Sequence, residues 1–188
     1  MNIFILNTDP VIAAQEQCDK HVVKMILESA QMLSTAHRML DGSETRRPSK
    51  SGKTMSKYWV LPNPTKESLF YKAVHMGHPC TVWSMESIEN YNWHYIHFQA
   101  LCKEYTYRYG KVHKSDKDLS TLLKDPPKNI PMVPQTPFKL AMGAAPECIL
   151  PGNPVESYQR FYETKQERFS MDWTKRQVPT WFKQYAHI

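Results

Sequence analysis

Residues 7–40 read NTDPVIAAQEQCDKHVVKMILESAQMLSTAHRML, and this stretch sets the expectation for the fold. Asn7, Thr8 and Asp9 offer N-cap oxygens, and Pro10 suits the first helical position, where a missing N–H costs nothing. Val22, Ile26, Ser29, Leu33, Ala36 and Leu40 recur at helical spacing and predict a buried stripe on one helix running to about Leu40. Asp41-Gly42 supplies the stop. Beside the stripe lie Cys18, Asp19, Lys20, His21 and Lys24, a thiol, an acid, an imidazole and two cations within two turns. A solvated helix face with a satisfied histidine accounts for such a cluster, and so does a functional site.

Working outward, a second long helix is expected from about Cys80 to Tyr109. Ile88, Tyr91, Tyr95, Phe98, Cys102, Tyr105 and Tyr109 recur every three or four residues there. That stripe reads as core packed against the first helix, with a base-stacking platform as the alternative. His94 and His97 read as surface or supporting groups. A third helix starts with a capping box at Asn153-Pro154-Val155-Glu156 and turns Val155, Tyr158, Phe161 or Tyr162, and Phe169 inward. Ile3 to Leu6 reads as a short strand or an extended segment under the first helix. A short helix is expected over Lys66 to Val74, with one helical turn near Leu119–Leu123 inside a proline-rich excursion over 111–153. The expected fold is therefore all-α, a single domain over 1–188 built as a compact bundle of three main helices with long irregular loops.

With 188 residues, 41% of them hydrophobic, the chain has material for one core, and its net charge of +6 points to an anionic partner. Nucleic acid comes first and acidic protein second. Four cysteines without paired spacing favour reduced thiols and a cytoplasmic setting. The opening MNIFILNTDP has no basic segment and no cleavage site, so a signal peptide is not expected. No apolar run approaches the roughly 18–20 residues that span a bilayer, so no membrane partner is expected.

The loop expected over 41–65 carries Arg46, Arg47, Lys50, Lys53 and Lys57, which suit phosphate contacts. Its Gly52-Lys53-Thr54 resembles the end of a P-loop, yet Arg47 stands where the first glycine belongs and no buried strand precedes it, which excludes that motif. His75, His78 and Cys80 crowd one turn. Without a second Cys/His pair at a recognised spacing no zinc site is expected, and the turn reads better as a helix start that favours an anion. Lys175, Arg176, Trp181, Lys183 and Tyr185 alternate cations with rings in the tail, which suits phosphates and stacked bases, or a segment docking its aromatics into the core.

Three segments resemble the bacteriophage pyrimidine-dimer DNA glycosylase/AP-lyase family. They are the N-terminal segment entering a helix at Ala14-Gln15, Gly77-His78 opening the aromatic helix that ends in Tyr107-Arg108-Tyr109-Gly110, and Pro179-Thr180-Trp181-Phe182-Lys183-Gln184-Tyr185. They span about half of the chain. The resemblance implies a helical fold in which an α-amine attacks the sugar C1′ to give an imine, a first-helix glutamate assists, and a damaged base is flipped out of the duplex. It places Lys20, His21 and Lys24 in the catalytic group. His21 stands near the expected glutamate, so the acid–base role passes to His21 with Asp19 or Glu16 as the carboxylate. The amine is that of Met1, of Asn2, or of Lys20 or Lys24 made reactive by burial. DNA contacts fall to Arg46, Arg47, Lys50, Lys53, His75, His78, Lys175, Arg176, Trp181, Lys183 and Tyr185, with no cofactor and no metal. The expected protein is a monomeric base-excision enzyme acting on duplex DNA in the cytoplasm of an infected host cell. Two other readings stand beside it: a transferase or hydrolase on modified phage DNA bases, and a DNA-binding or host-interaction protein without catalysis.

Overall fold

Asp9 caps the first helix. Its carboxylate accepts the N–H groups of Val11 and Ile12 at 2.8 and 3.0 Å, and Pro10 opens α1 (Pro10–Gln15). The chain then breaks at Cys18, whose backbone is extended, and restarts as α2 (Asp19–Asp41), so the single helix expected over 7–40 is two. The cause lies far away in sequence. The buried Arg108 guanidinium donates to the carbonyls of Gln15 and Gln17 and to the Asp19 carboxylate, each at 2.9 Å. One cation thus satisfies the open C-terminus of α1 and the first-turn acid of α2.

In the computed structural model, residues 1–49 and 51–185 are described. Among them the architecture is not the expected all-α bundle of three main helices, because seven helices and a two-stranded antiparallel sheet are present. The loop expected over 41–65 holds the hairpin of β1 (Ser43–Pro48) and β2 (Met55–Val60), with Glu44 opposite Trp59 and Arg46 opposite Lys57. Gly42 permits the sharp exit from α2, since a Cβ there would meet the Arg38 carbonyl at 2.4 Å. Gly52 turns the hairpin at φ +71°. The short helix α3 (Pro64–Leu69) ends before Phe70 instead of reaching Val74.

The second long helix is also split, into α4 (Pro79–Glu86) and α5 (Ile88–Tyr109). Ser87 is extended and caps α5 by accepting the Asn90 N–H at 3.0 Å, while the Asn90 amide donates back to the Trp83 carbonyl at 2.7 Å. That is a capping signal inside an apolar run. In the proline-rich excursion, α6 (Lys114–Leu123) is a full ten-residue helix that buries Leu119 and Leu123. The last helix, α7 (Pro154–Glu163), stops six residues short of Phe169 and continues as one 3-10 turn to Glu167.

Residues 3–6 are buried but form no strand; Phe4 adopts φ +55° and the Leu6 N–H returns to the Phe4 carbonyl. They lie in a core where α2 packs on α4 and α5 and α1 packs on α5. The α2 stripe is buried from Val22 to Ala36, with Leu40 at its edge, and faces Trp83, Tyr91 and Phe98. Val22, Ile26 and Leu33 each contribute about 1.5–3 kcal/mol by leaving water. His94 and His97 are fully buried, not on the surface. All four cysteines are buried and free. Among the described residues no helix is long and apolar enough to cross a membrane.

Candidate active site

The start of the chain passes across the outer face of α2. There the Met1 α-amine lies 3.6 Å from the Glu28 carboxylate, and the Asn2 N–H donates to the same oxygen at 2.9 Å. Lys24, one turn earlier on the helix, reaches the other Glu28 oxygen at 3.4 Å. His21, Lys24 and Glu28 stand at helical offsets of three and seven, so α2 presents them on one face. The Met1 side chain is buried, with its sulfur accepting from Thr81.

Other segments close a cleft of about 360 Å³ over these groups. Lys165 and Arg168 come from the turn after α7, Phe161 from α7 itself, and Phe169 from the segment that follows. Four cations therefore line the cleft with one carboxylate: the α-amine and Lys24 meet Glu28, and Lys165 and Arg168 stand in the same lining. Lys165 sits 3.3 Å above the Phe161 ring, and burial, with Arg168 beside it, lowers its pKa. Asn2 spends its side chain on the backbone, accepting from Phe4 N at 3.0 Å and donating to the Ala141 carbonyl at 2.9 Å.

His21 forms the inner wall. Its ring stacks on Phe4 at 4.7 Å and meets Phe169 edge-on at 5.3 Å, and its Nδ1 lies 2.7 Å from the Tyr162 hydroxyl. Burial, then the charges of Lys24 and Lys165, push its pKa down to about 3. At neutral pH the ring is uncharged and a weak base, which fits poorly with the acid–base role expected of it.

The expected catalytic residues thus divide. Asn2, His21 and Lys24 come together in the cleft. Asp19 does not: Arg108 holds it, and Thr174 donates to it through both N–H and hydroxyl. Lys20 stands 5.0 Å from the Phe169 ring at the rim. Lys20 and Lys24 are exposed. Glu16 belongs to a separate groove beside Lys175 and Arg176, where burial raises its pKa.

The expected DNA contacts are scattered. Arg46 and Lys53 are exposed on the hairpin, while Arg47 lies 3.7 Å over the Tyr58 ring and pairs with Glu67 at 3.4 Å. Lys50 lies outside the described residues. His75 is exposed. His78 caps α4, its Nδ1 accepting the Cys80 N–H at 3.2 Å, and burial followed by the nearby α-amine lowers its pKa. In the tail, Lys175 donates to the Tyr107 carbonyl at 2.8 Å and Arg176 clasps Glu104 at 2.5 and 3.1 Å. Trp181 packs edge-on against Tyr162, and Lys183 and Tyr185 are exposed.

Glu28, Lys165 and Arg168 did not enter the sequence reading. The offset from His21 through Lys24 to Glu28 was a usable signal for the first. Nothing local marks the other two. Among the described residues no three His, Cys, Asp or Glu side chains gather as a metal site. Compared with protein families, with curated proteins and with solved structures, the chain matches none of them.

Proposed function

We propose that this protein is a DNA N-glycosylase with AP-lyase chemistry, in which the chain's α-amine is the nucleophile and Glu28 its carboxylate partner. The observation that carries the reading is the α-amine held 3.6 Å from Glu28 inside a cationic, phenylalanine-lined cleft. Four cations suit the phosphates that flank an extruded nucleotide, and the rings suit its sugar and base. Glu28 takes a proton from the amine, whose nitrogen attacks C1′ of the deoxyribose. The glycosidic C1′–N bond breaks and the base leaves with the proton that Glu28 returns, which restores the carboxylate. Opening of the C1′–O4′ bond, with a proton passing from the amine nitrogen to O4′, then leaves a protonated imine between that nitrogen and C1′. Loss of a C2′ proton to Glu28 expels the 3′ phosphate, and water hydrolyses the imine to return the amine. The reading extends to a monomer acting on duplex DNA in the cytoplasm of an infected cell, with Arg46 and Lys53 on the hairpin touching the backbone.

Borohydride reduction of the protein with an abasic-site duplex tests it. A covalent adduct is expected, mapping by mass to residue 1, or to residue 2 if Met1 is removed, since Glu28 reaches both nitrogens. Glu28→Gln should lower the single-turnover rate by about 10²–10⁴-fold while the protein still binds the duplex. Absence of any adduct in the wild type overturns the imine mechanism.

A further inference from the structure

The cleft contains a group that imine chemistry does not use. Tyr162 is fully buried, and its hydroxyl oxygen accepts the Cys18 N–H at 2.9 Å. The hydroxyl proton needs an acceptor, and His21 Nδ1 at 2.7 Å is a far stronger one than the neighbouring Cys18 sulfur. Nδ1 is therefore an acceptor, and a neutral ring must carry its own proton on Nε2. The depressed pKa keeps the ring neutral throughout the physiological range.

The ring is also held in place. Phe4 stacks on one face with an interplanar angle of 24°, while Phe169 and Tyr162 meet it edge-on. Phe4 is set there by a left-handed backbone at φ +55°, a strained state for a bulky residue that persists only where its surroundings enforce it. Among the described residues Nε2 has no hydrogen-bond partner, although Nδ1 is satisfied and His21 lines the cleft. Stacking on Phe4 and accepting the Tyr162 proton use the ring face and Nδ1, and Nε2–H is left open to a ligand in the cleft.

The remaining polar groups of the cleft do not discriminate among bases. Its cations seek phosphate or the Glu28 carboxylate, and the Asn2 amide is taken up by the backbone. His21 supplies what they lack, a neutral donor with a fixed direction. An exocyclic carbonyl oxygen, as on thymine, uracil or guanine, accepts such an N–H. Adenine has no exocyclic carbonyl: it presents N6–H₂ where those bases present oxygen, and accepts only at its ring nitrogens.

We propose that His21 is a specificity residue: its Nε2–H, aimed into the cleft, donates to an exocyclic carbonyl of the extruded base, so that the site takes oxo-bases in preference to adenine. This inference rests on reading the cleft as a nucleotide site, and its test separates the two. The equilibrium Kd is measured for an undamaged duplex, a duplex with a tetrahydrofuran abasic analogue, and duplexes with one bulged thymine or one bulged adenine. The wild type is expected to bind the tetrahydrofuran duplex more tightly than the undamaged one, which supports the nucleotide site. It should prefer bulged thymine over bulged adenine by about tenfold, the scale of one directed hydrogen bond.

His21→Phe, which keeps the stack on Phe4, should bring that ratio to about one. His21→Gln, which places an amide N–H near the Nε2 position, should restore part of it. A wild-type ratio of one, or an unchanged ratio in His21→Phe, overturns the proposal even where the tetrahydrofuran preference holds. Loss of the tetrahydrofuran preference overturns both. Should His21→Phe fail to fold, ¹⁵N chemical shifts of the wild-type imidazole decide: a proton on Nε2 alone supports the assignment, and a proton on Nδ1 overturns it.

Discussion

Two clusters of charge flank the start of α2, and they are built on opposite terms. On one side Arg108 and Arg176 meet Asp19 and Glu104, two cations to two carboxylates, with the spare donors of Arg108 used on the Gln15 and Gln17 carbonyls. Every charge there has a partner. On the other side the α-amine and Lys24 share Glu28, while Lys165 and Arg168 line the same cleft without joining that pair. A balanced cluster joins segments of the chain, here α1, α2, α5 and the tail. An unbalanced one in a cleft holds charge ready for a ligand. Residue type does not separate the two, since both are made of ordinary Arg, Lys, Asp and Glu; only the pairing does.

The largest effect should come from acid, which attacks the closed part of the molecule. Burial pushes His37 and His97 down to about 3, as it does His21, and holds His94 well below the ordinary value of 6.5. Between pH 6.5 and 3 the unfolded chain binds protons on these rings that the folded protein does not, so stability falls as pH falls through that window. Each ring costs about 1.4 kcal/mol per pH unit there, and the first three together cost about 4 kcal/mol per unit. Burial works to raise the Glu67 carboxyl, but the Leu61 N–H, the Tyr58 hydroxyl and Arg38 outweigh it and hold it at about 2. Its stabilisation is present above the ordinary carboxylate value and is lost as pH falls toward 2, in the same direction. Urea unfolding at pH 7, 6 and 5 should show a steep loss of midpoint. A flat profile would mean that the rings are charged or exposed in the folded state.

Next in size is the balanced cluster itself. Arg108→Met keeps much of the side-chain volume but removes one of the two guanidinium partners of Glu104, leaves Asp19 with Thr174 alone, and frees the carbonyls that Arg108 caps. A loss of about 3–5 kcal/mol is expected, read as a lower urea midpoint with unchanged slope. A loss below 1 kcal/mol would show that the break between α1 and α2 does not depend on that guanidinium.

The two clusters also differ in how far they could be read from sequence. The α2 stripe, the Asp9–Pro10 start and the Asn153 cap are local patterns, and the structure has all of them. The break at Cys18 carries no glycine or proline, because its cause is Arg108, some 90 positions later. The hairpin looks like a loop in the sequence because β1 is exposed along its whole length and has no apolar alternation to announce a strand. In the tail, alternating cations and rings read equally as a DNA-facing or a docking pattern, and Lys175 and Arg176 turn out to bind the Tyr107 carbonyl and Glu104. Glu28 sat in plain view. A carboxylate four residues after a lysine is normally a solvated pair, and only the course of residues 1–2 across α2 gives it a second partner.

The smallest expected effect is also the most direct test of the contrast between open and closed charge. Lys165 lies in the unbalanced cleft with its ammonium over Phe161, and Lys175 is tied to the Tyr107 carbonyl. If the cleft cations meet phosphate, Lys165→Gln should reduce the slope of log K against log salt for an abasic-analogue duplex by about one. Lys175→Gln should leave that slope within about 0.3 of the wild type, because a lysine already committed to a carbonyl displaces few counterions from DNA. Equal losses in the two variants would mean that the tail meets the backbone as fully as the cleft does. The division between a structural and a ligand-facing set of charges would then fail at the residue where it is easiest to measure.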